Sequence, residues 1–275
     1  MEKHSIKDLK KIANQVRQDI IEMLERAGSG HPGGSLGMAD VLTVLYFNIL
    51  NHTPAKPNNP DRDKVILSNG HICPVLYSIL ARSGYFPLVK LKSLRKLNSP
   101  LQGHPHNTAL PGIETSSGPL GQGISQAVGM ALAAKMNKQD YRIFCITSDG
   151  EHNEGQLWEA IMSAKKYKLN NLINIIDRNN IQIDGYTKNI MPLESLNAKY
   201  LTFGWKVLEM NGHNLKQIIN TLKRAKLVKD KPVAVIANTT LGKGIKFMEN
   251  KYIWHGKAPN KQEAAKALKQ LKNAI

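Results

Sequence analysis

Two short apolar runs, 142–147 and 171–177, flank a helical stretch near 154–167, and this strand–helix–strand alternation restricts the fold more than any other feature. A second pair of runs, 205–210 and 232–238, flanks another helical stretch near 215–228. Strands joined by such long crossovers pair in parallel, and the crossover helices pack onto the faces of the sheet. The predicted fold class is therefore α/β, a parallel sheet with helices on both faces. One more short strand is expected at 64–68. Near the start, Ile6, Leu9, Ile12, Ala13, Val16, Ile20, Met23, Leu24 and Ala27 have amphipathic helical spacing, and Gly28 stops the pattern. Further helices are expected at 38–50, from His71 to 82, and at 121–137. Residues 99–123, rich in Gly and Pro, read as a long ordered loop of the kind that carries function. Without an internal repeat or a convincing linker, residues 1–275 read as a single domain with a helical tail at 260–275.

Several broad classes are set aside by composition. A chain of 275 residues with 41% hydrophobic side chains can bury a sizeable core and is not wholly disordered. Its longest apolar stretch, 41–50, is too short to span a bilayer, and the charged first residues show no leader-type apolar segment. Cys73 and Cys145 stand far apart without CxxC spacing, and so read as reduced core thiols of a cytoplasmic protein. The 38 Lys and Arg against 21 Asp and Glu give a net charge of +17, which raises nucleic-acid binding as a reading. The bases are spread over polar helix faces with little aromatic interleaving, so a solvated Lys-rich surface explains them better than a binding stripe.

The strongest chemical signal is the run Ser148-Asp149-Gly150-Glu151-His152-Asn153-Glu154-Gly155, lying between a predicted strand and a helix. Asp149 follows the end of one strand, and Asn179 follows the end of the next, 30 residues later, which is one βαβ unit. In open α/β sheets, ligands bind in the crevice outside such strand ends. If the two strands are neighbours, a carboxylate and an amide oxygen meet there; with a backbone carbonyl they form a hard oxygen set suited to Mg²⁺, whose shell phosphate can complete. The N-terminus of the Glu154 helix is expected to point toward the same region and favour an anion. An Asp-Gly pair alone is more often only a turn. His31, His71, His104 and His255 each stand in a Gly- or Pro-flanked loop, whereas His4, His52, His106, His152 and His213 read as surface or loop residues without a role. Trp158 reads as core, and Lys243, between two glycines, as part of a turn.

Taken together, Asp149-Gly-Glu, Glu154-Gly-Gln-Leu-Trp158-Glu-Ala160 and Asp177-Arg-Asn-Asn-Ile-Gln-Ile-Asp-Gly185 resemble the thiamine-diphosphate signature of transketolases. The resemblance extends in family order through Ser29-Gly-His-Pro-Gly-Gly-Ser-Leu36, Ser68-Asn-Gly-His71, Gly103-His-Pro105, Ser117-Gly-Pro-Leu-Gly-Gln-Gly123, Gly242-Lys-Gly244 and Trp254-His-Gly256. It covers the N-terminal, diphosphate-binding part of such enzymes, as in transketolases made of two polypeptides. It implies the thiamine-diphosphate-binding fold and transfer of a two-carbon ketol unit from a ketose phosphate to an aldose phosphate.

The resemblance also implies roles for individual residues. Asp149 and Asn179 would hold Mg²⁺ by side chain and Ile181 by its carbonyl, a site that Ca²⁺ or Mn²⁺ would also suit. His71 and Gly150 would lie at the diphosphate, with Gly118 and Leu120 beside the cofactor's rings. His31, His104 and His255 would line the channel above the reactive carbon as catalytic groups, His255 also touching the cofactor. Glu154 matches an acidic residue at the subunit contact. Ser148 departs from the family's usual glycine, which matters if the backbone there needs positive φ, and His106 stands where an acidic residue is common. Family sites lie between this kind of domain and a pyrimidine-binding domain that supplies the activating glutamate, and a chain ending at Ile275 leaves no room for the latter. The expected assembly is a heterotetramer with two copies of each chain, acting on sugar phosphates without membrane or nucleic acid. Two alternatives stay open at this point: the equivalent part of a 1-deoxyxylulose-5-phosphate synthase or 2-oxo-acid dehydrogenase, and a non-catalytic nucleic-acid-binding protein on the same fold.

Overall fold

A computed structural model describes residues 4–274 of the chain. Its strands are β1 (Lys64–Leu67), β2 (Ile143–Ser148), β3 (Leu172–Arg178), β4 (Ile181–Gln182), β5 (Gly185–Tyr186), β6 (Lys206–Asn211) and β7 (Val233–Asn238). All but β4 and β5 join one sheet in the order β1-β2-β3-β7-β6, with every neighbouring pair parallel. The short β4 and β5 pair antiparallel as a separate hairpin. The helices are α1 (Ile6–Ala27), α2 (Pro32–Gly37), α3 (Ala39–Val44), α4 (Cys73–Ser83), α5 (Gln122–Met136), α6 (Gly155–Lys166), α7 (Thr187–Ile190), α8 (Leu196–Thr202), α9 (Leu215–Leu227) and α10 (Lys261–Lys272).

The pleat divides the core in two. Along β2, Phe144 and Ile146 enter a cluster shared with α1, α3, α4, α9 and α10, while Ile143 and Cys145 enter a second cluster with α5, α6 and α8. Every residue of β2 and β3 is buried, as expected for central parallel strands covered on both faces. The edge strand β6 instead alternates, burying Leu208 and Met210 while Lys206, Glu209 and Asn211 face water. Ser148 pairs with Asp177 across β2 and β3, so Asp149 and Asn179 leave adjacent strand ends at the same edge of the sheet.

Several local expectations need correction. The helical run expected from 38 begins at Pro32, where proline at the first helical position has a suitable φ and no N–H to waste. Gly33 there is a close-approach residue: a Cβ would come within 2.6 Å of the Leu241 side chain. The segment 45–49 then widens into a π-turn. The hairpin β4–β5 and helices α7 and α8 were not predicted, because these pieces are too short to develop a periodic apolar pattern. The tail forms α10, started by a capping box between Asn260 and Glu263 and fastened to α1 by Asn14 Nδ2 donating to Leu271 O at 2.9 Å. Cys73 and Cys145 are free and buried. Among the described residues, no helix is long and apolar enough to cross a membrane.

Candidate functional site

The ends of β2 and β3 open into a cavity of about 260 Å³. Asp149, Gly150, Asn179 and Ile181 line it from the strand ends, His31 and Gly34 from the start of α2, and His71 from the turn before α4. The long loop adds His104, Gly118 and Leu120, and the segment after β7 adds His255. Of the site residues expected from the sequence, Glu154 alone stays outside: it is exposed at the start of α6 and does not line the cavity. The reason is a 3₁₀ turn, Gly150–Asn153, between Asp149 and α6. That turn, rather than the N-terminus of α6, follows Asp149 into the cavity, so the expected helix-end contribution is not made there.

Asp149 is fully buried and well connected. Its Oδ1 accepts the Gly150 N–H at 2.8 Å, and its Oδ2 accepts the Asn180 N–H at 2.6 Å and Arg178 Nη1 at 3.2 Å. Burial still outweighs these donors and pushes its carboxyl up to about 6. Asp177 lies beside it, accepting from Thr239 Oγ1 and from Asn179 Nδ2, the latter at 3.0 Å. Burial, followed by the donors and the Asp149 charge, leaves Asp177 raised to about 7. Asn179 Oδ1 accepts the Ile181 N–H at 2.9 Å, which with the bond to Asp177 fixes the amide's orientation. Two buried carboxylates and an amide oxygen thus lie in one hard-oxygen environment at the strand ends. Among the described residues, no three His, Cys, Asp or Glu side chains gather closely enough to hold an ion alone.

The imidazoles form a tight group. Ring centroids are 5.1 Å apart for His31 and His71, 5.3 Å for His71 and His255, and 5.7 Å for His31 and His255. Burial, then the neighbouring imidazoles and Arg95, lowers His31 to about 4, and burial lowers His71, His104 and His255 as well. The rings are therefore neutral near pH 7, each able to donate through one nitrogen and accept through the other. His31 Nδ1 and His255 Nδ1 are buried without a partner, an arrangement usually found where a ligand or water completes the bonding. Gly118, at φ +152°, holds a conformation that favours glycine and lies against His104, where a Cβ would be 3.6 Å from the ring. Gly150 needs no positive φ; it leaves room for Gln182. Ser148 is an ordinary strand residue, so its Cβ is accommodated without backbone strain.

Three residues that had no expected role turn out to shape the site. The buried carboxylate of Glu151 accepts from Ser68 Oγ, from the Gly121 N–H at 2.7 Å and from the Ser148 N–H at 3.1 Å, tying together the loops after β1 and β2 and the turn before α5. Gln182 and Ile183 wall the cavity from the unpredicted hairpin. Glu151 stands inside the Asp149-Gly-Glu motif, but the sequence pattern does not disclose this role, since two of its three partners, Ser68 and Gly121, come from distant segments. His52, His152 and His213, read as surface or loop residues, are instead internal struts. His152 Nδ1–H donates to Ser148 O at 2.7 Å, and its Nε2 accepts from Tyr200 Oη at 2.9 Å. His52 bridges Tyr46 O and Tyr85 Oη, and His213 bridges Asp40 and the Thr240 N–H. His106 is exposed beside Thr108. Lys243 pairs with Glu249 at 3.4 Å and lies at a larger depression of about 630 Å³ beyond β6 and β7, which gathers no comparable set of groups. Trp158 is half-buried, its Nε1–H donating to His152 O at 2.9 Å.

Comparison with known proteins agrees with this geometry. Residues 8–273 match the family described as transketolase, thiamine diphosphate binding domain. The chain is 41% identical over 259 residues to one subunit of the apulose-4-phosphate transketolase of Phocaeicola vulgatus, covering 94% of this chain and 92% of that protein. It is 43% identical over 248 residues to 6-deoxy-6-sulfo-D-fructose transketolase subunit SqwG of a Clostridium species, covering 90% of each. The crystal structure of transketolase from Campylobacter jejuni superposes with a TM-score of 0.92 at 37% identity, covering 98% of this chain but 43% of that one. The chain likewise spans 44% of the length of mouse transketolase-like protein 2.

Proposed function

From the premise that this chain belongs to the transketolase family, as its thiamine-diphosphate-binding part, we propose that it is the N-terminal subunit of a two-chain transketolase, active with a separate C-terminal subunit. The observation that carries the reading is one cavity gathering Asp149, Asn179, Ile181 and four imidazoles, in a chain whose similar relatives of comparable length are named transketolase subunits. The reaction proposed is transfer of a two-carbon ketol unit from a ketose phosphate to an aldose phosphate. Thiamine diphosphate, when bound, supplies the carbon nucleophile and electron sink.

The chain's own groups have three tasks. Asp149, Asn179 and the Ile181 carbonyl would hold Mg²⁺, with His71 and Gly150 beside the diphosphate and Gly118 and Leu120 beside the rings. The neutral imidazoles of His31, His104 and His255 would hold the substrate's oxygens and pass protons at them, a role suited to groups that donate and accept near neutrality. Ile181, Ile183 and Leu120 add apolar wall beside these polar groups. We read residues 1–275 as one diphosphate-binding domain and place it in the cytoplasm, a reading supported by the two free cysteines. The proposed assembly has two copies of each chain, since closed two-fold symmetry is the commonest solution.

The test is a coupled ketol-transfer assay with the chain alone and mixed with a C-terminal transketolase subunit, each mixture also being sized. Transfer is expected only in the mixture; robust transfer by the lone chain refutes the two-chain reading. In the same mixture, Asp149→Ala is expected to abolish Mg²⁺-dependent thiamine-diphosphate binding while leaving the fold intact. Calorimetry showing unchanged cofactor affinity removes the metal assignment.

A further inference from the structure

Arg178, the last residue of β3, is 8% exposed, and its guanidinium spans three partners from three pieces of chain. Nη1 donates to Asp149 Oδ2 at 3.2 Å and to Thr187 Oγ1 at 3.4 Å, and Nη2 donates to Glu194 Oε1 at 2.5 Å. Asp149 follows β2, Thr187 opens α7, and Glu194 lies in the loop beyond α7. Between Arg178 and Glu194 the chain forms the hairpin whose Ile181, Gln182 and Ile183 wall the cavity. The near end of that wall is held to the same carboxylate, through the Asn180 N–H on Asp149 Oδ2 at 2.6 Å. The far end is joined to Asp149 through Arg178, while Thr187 also donates its N–H to Asn180 O at 3.0 Å.

We propose that Arg178 is a positioning residue that braces the wall 181–194 against Asp149 and offsets the charge of that carboxylate, so that the site holds a divalent cation tightly only together with an anionic diphosphate. This rests on the metal reading of Asp149, Asn179 and Ile181 given above. The guanidinium carries a fixed positive charge, so the offset is permanent. A bare cation entering the cavity meets a carboxylate already balanced by a fixed positive charge, and repulsion between the two cations is poorly screened in a protein interior. A diphosphate brings negative charge in excess and reverses that balance. The bracing depends on the planar fork, which serves Asp149 and Glu194 through separate nitrogens; a lysine keeps the charge but not that geometry.

The test uses the full chain with its partner subunit, and the variants Arg178→Gln, Arg178→Lys and Glu194→Gln. Binding of Mn²⁺ is followed by its electron paramagnetic resonance signal, without and with thiamine diphosphate, and hydrogen exchange is measured across 181–194. Wild type is expected to bind Mn²⁺ weakly alone, and Arg178→Gln to bind it at least about tenfold tighter. Arg178→Lys is expected to keep the wild-type Mn²⁺ affinity while exchange across 181–194 rises. Glu194→Gln is expected to raise exchange there without tightening Mn²⁺ binding. Unchanged Mn²⁺ affinity in a folded Arg178→Gln variant, or unchanged exchange in the other two, overturns the proposal. If Arg178→Gln does not fold, exchange in the other two decides. If wild type fails to bind Mn²⁺ even with thiamine diphosphate and the partner, the metal reading falls and the role of Arg178 with it. Joint binding by wild type beside a silent Arg178→Gln removes Arg178 alone.

Discussion

Histidines show how far a residue's meaning depends on its surroundings. His152 is buried and His255 half-buried, and both are pushed toward the neutral form, yet His152 has both nitrogens occupied by protein partners while His255 keeps a buried, unpartnered Nδ1 at the cavity. The first is a strut and the second is available to a ligand. In the assembled enzyme, His255→Ala is expected to lower turnover on the order of a hundredfold without disturbing assembly by sizing; an active mixture indifferent to the change takes His255 out of the site. Asp40 illustrates an acidic group with a different balance. Burial raises its pKa, but Arg17, bonded at 3.0 and 2.7 Å, and His213 outweigh that and bring it down to about 2. A carboxylate held below its unfolded value near 3.8 adds stability above that value and loses it as pH falls toward 2. Asp40→Asn is therefore expected to cost at least about 2 kcal/mol at pH 7, the gap to wild type narrowing between pH 4 and 2. Denaturant unfolding at several pH values checks this, and a gap that stays constant into acid would show that the charge of Asp40 is not what stabilises the fold.

At the scale of elements, the site depends on where helices and loops are allowed to approach the strand ends. Helix α2 brings His31 and Gly34 to the cavity because Gly33 lets it lie against Leu241. Glu151 performs a similar service for the loops, gathering the ends of β1 and β2 and the start of α5 around one carboxylate. Helix α10 lies far from this chemistry and acts by covering α1 with Ala264, Ala267 and Leu271. Its capping box satisfies two end N–H groups, so Asn260→Ala is expected to destabilise the protein by about 1 kcal/mol. Hydrogen exchange should rise in 261–272 while the cavity residues stay protected. An exchange map that changes equally at both places would show that α10 and the site unfold as one unit.

For the whole molecule, the net charge of +17 and the two-chain reading are the properties that matter most. Most bases lie on exposed faces, as at Lys7, Lys10 and Lys11 of α1 and Lys261, Lys266 and Lys269 of α10, where water and salt surround them. Such a surface binds polyanions weakly and without sequence preference. Binding to duplex DNA is therefore expected to disappear as salt approaches physiological strength, measured by fluorescence anisotropy on two unrelated duplexes. Sequence-selective binding that survives that salt would give the charge a function of its own. The cavity wall also carries exposed apolar side chains, among them Ile183, which is 62% exposed. In the proposed assembly these are available for cover by the second chain.

The architecture and most of the cavity's members were legible in the sequence, for a physical reason. Buried parallel strands need unbroken apolar runs, crossover helices need a 3.6-residue period, and residues just after strands meet at one edge of the sheet whatever their other contacts are. Spacing placed Asp149 and Asn179 together on the condition that their strands are neighbours, a condition the β2–β3 pairing meets, and the motifs around His31, His71, His104 and His255 supplied the imidazoles. Tertiary structure decided what depends on pieces too short to show a period or on contacts across long stretches of chain: the hairpin that contributes Gln182 and Ile183, the burial of His52 and His152, the bridging position of His213, and the exposed position of Glu154. It also decided the roles of Glu151 and Arg178. Each is a polar side chain whose partners are drawn from several segments, and a linear pattern cannot encode which distant donors will be close enough to satisfy a buried charge.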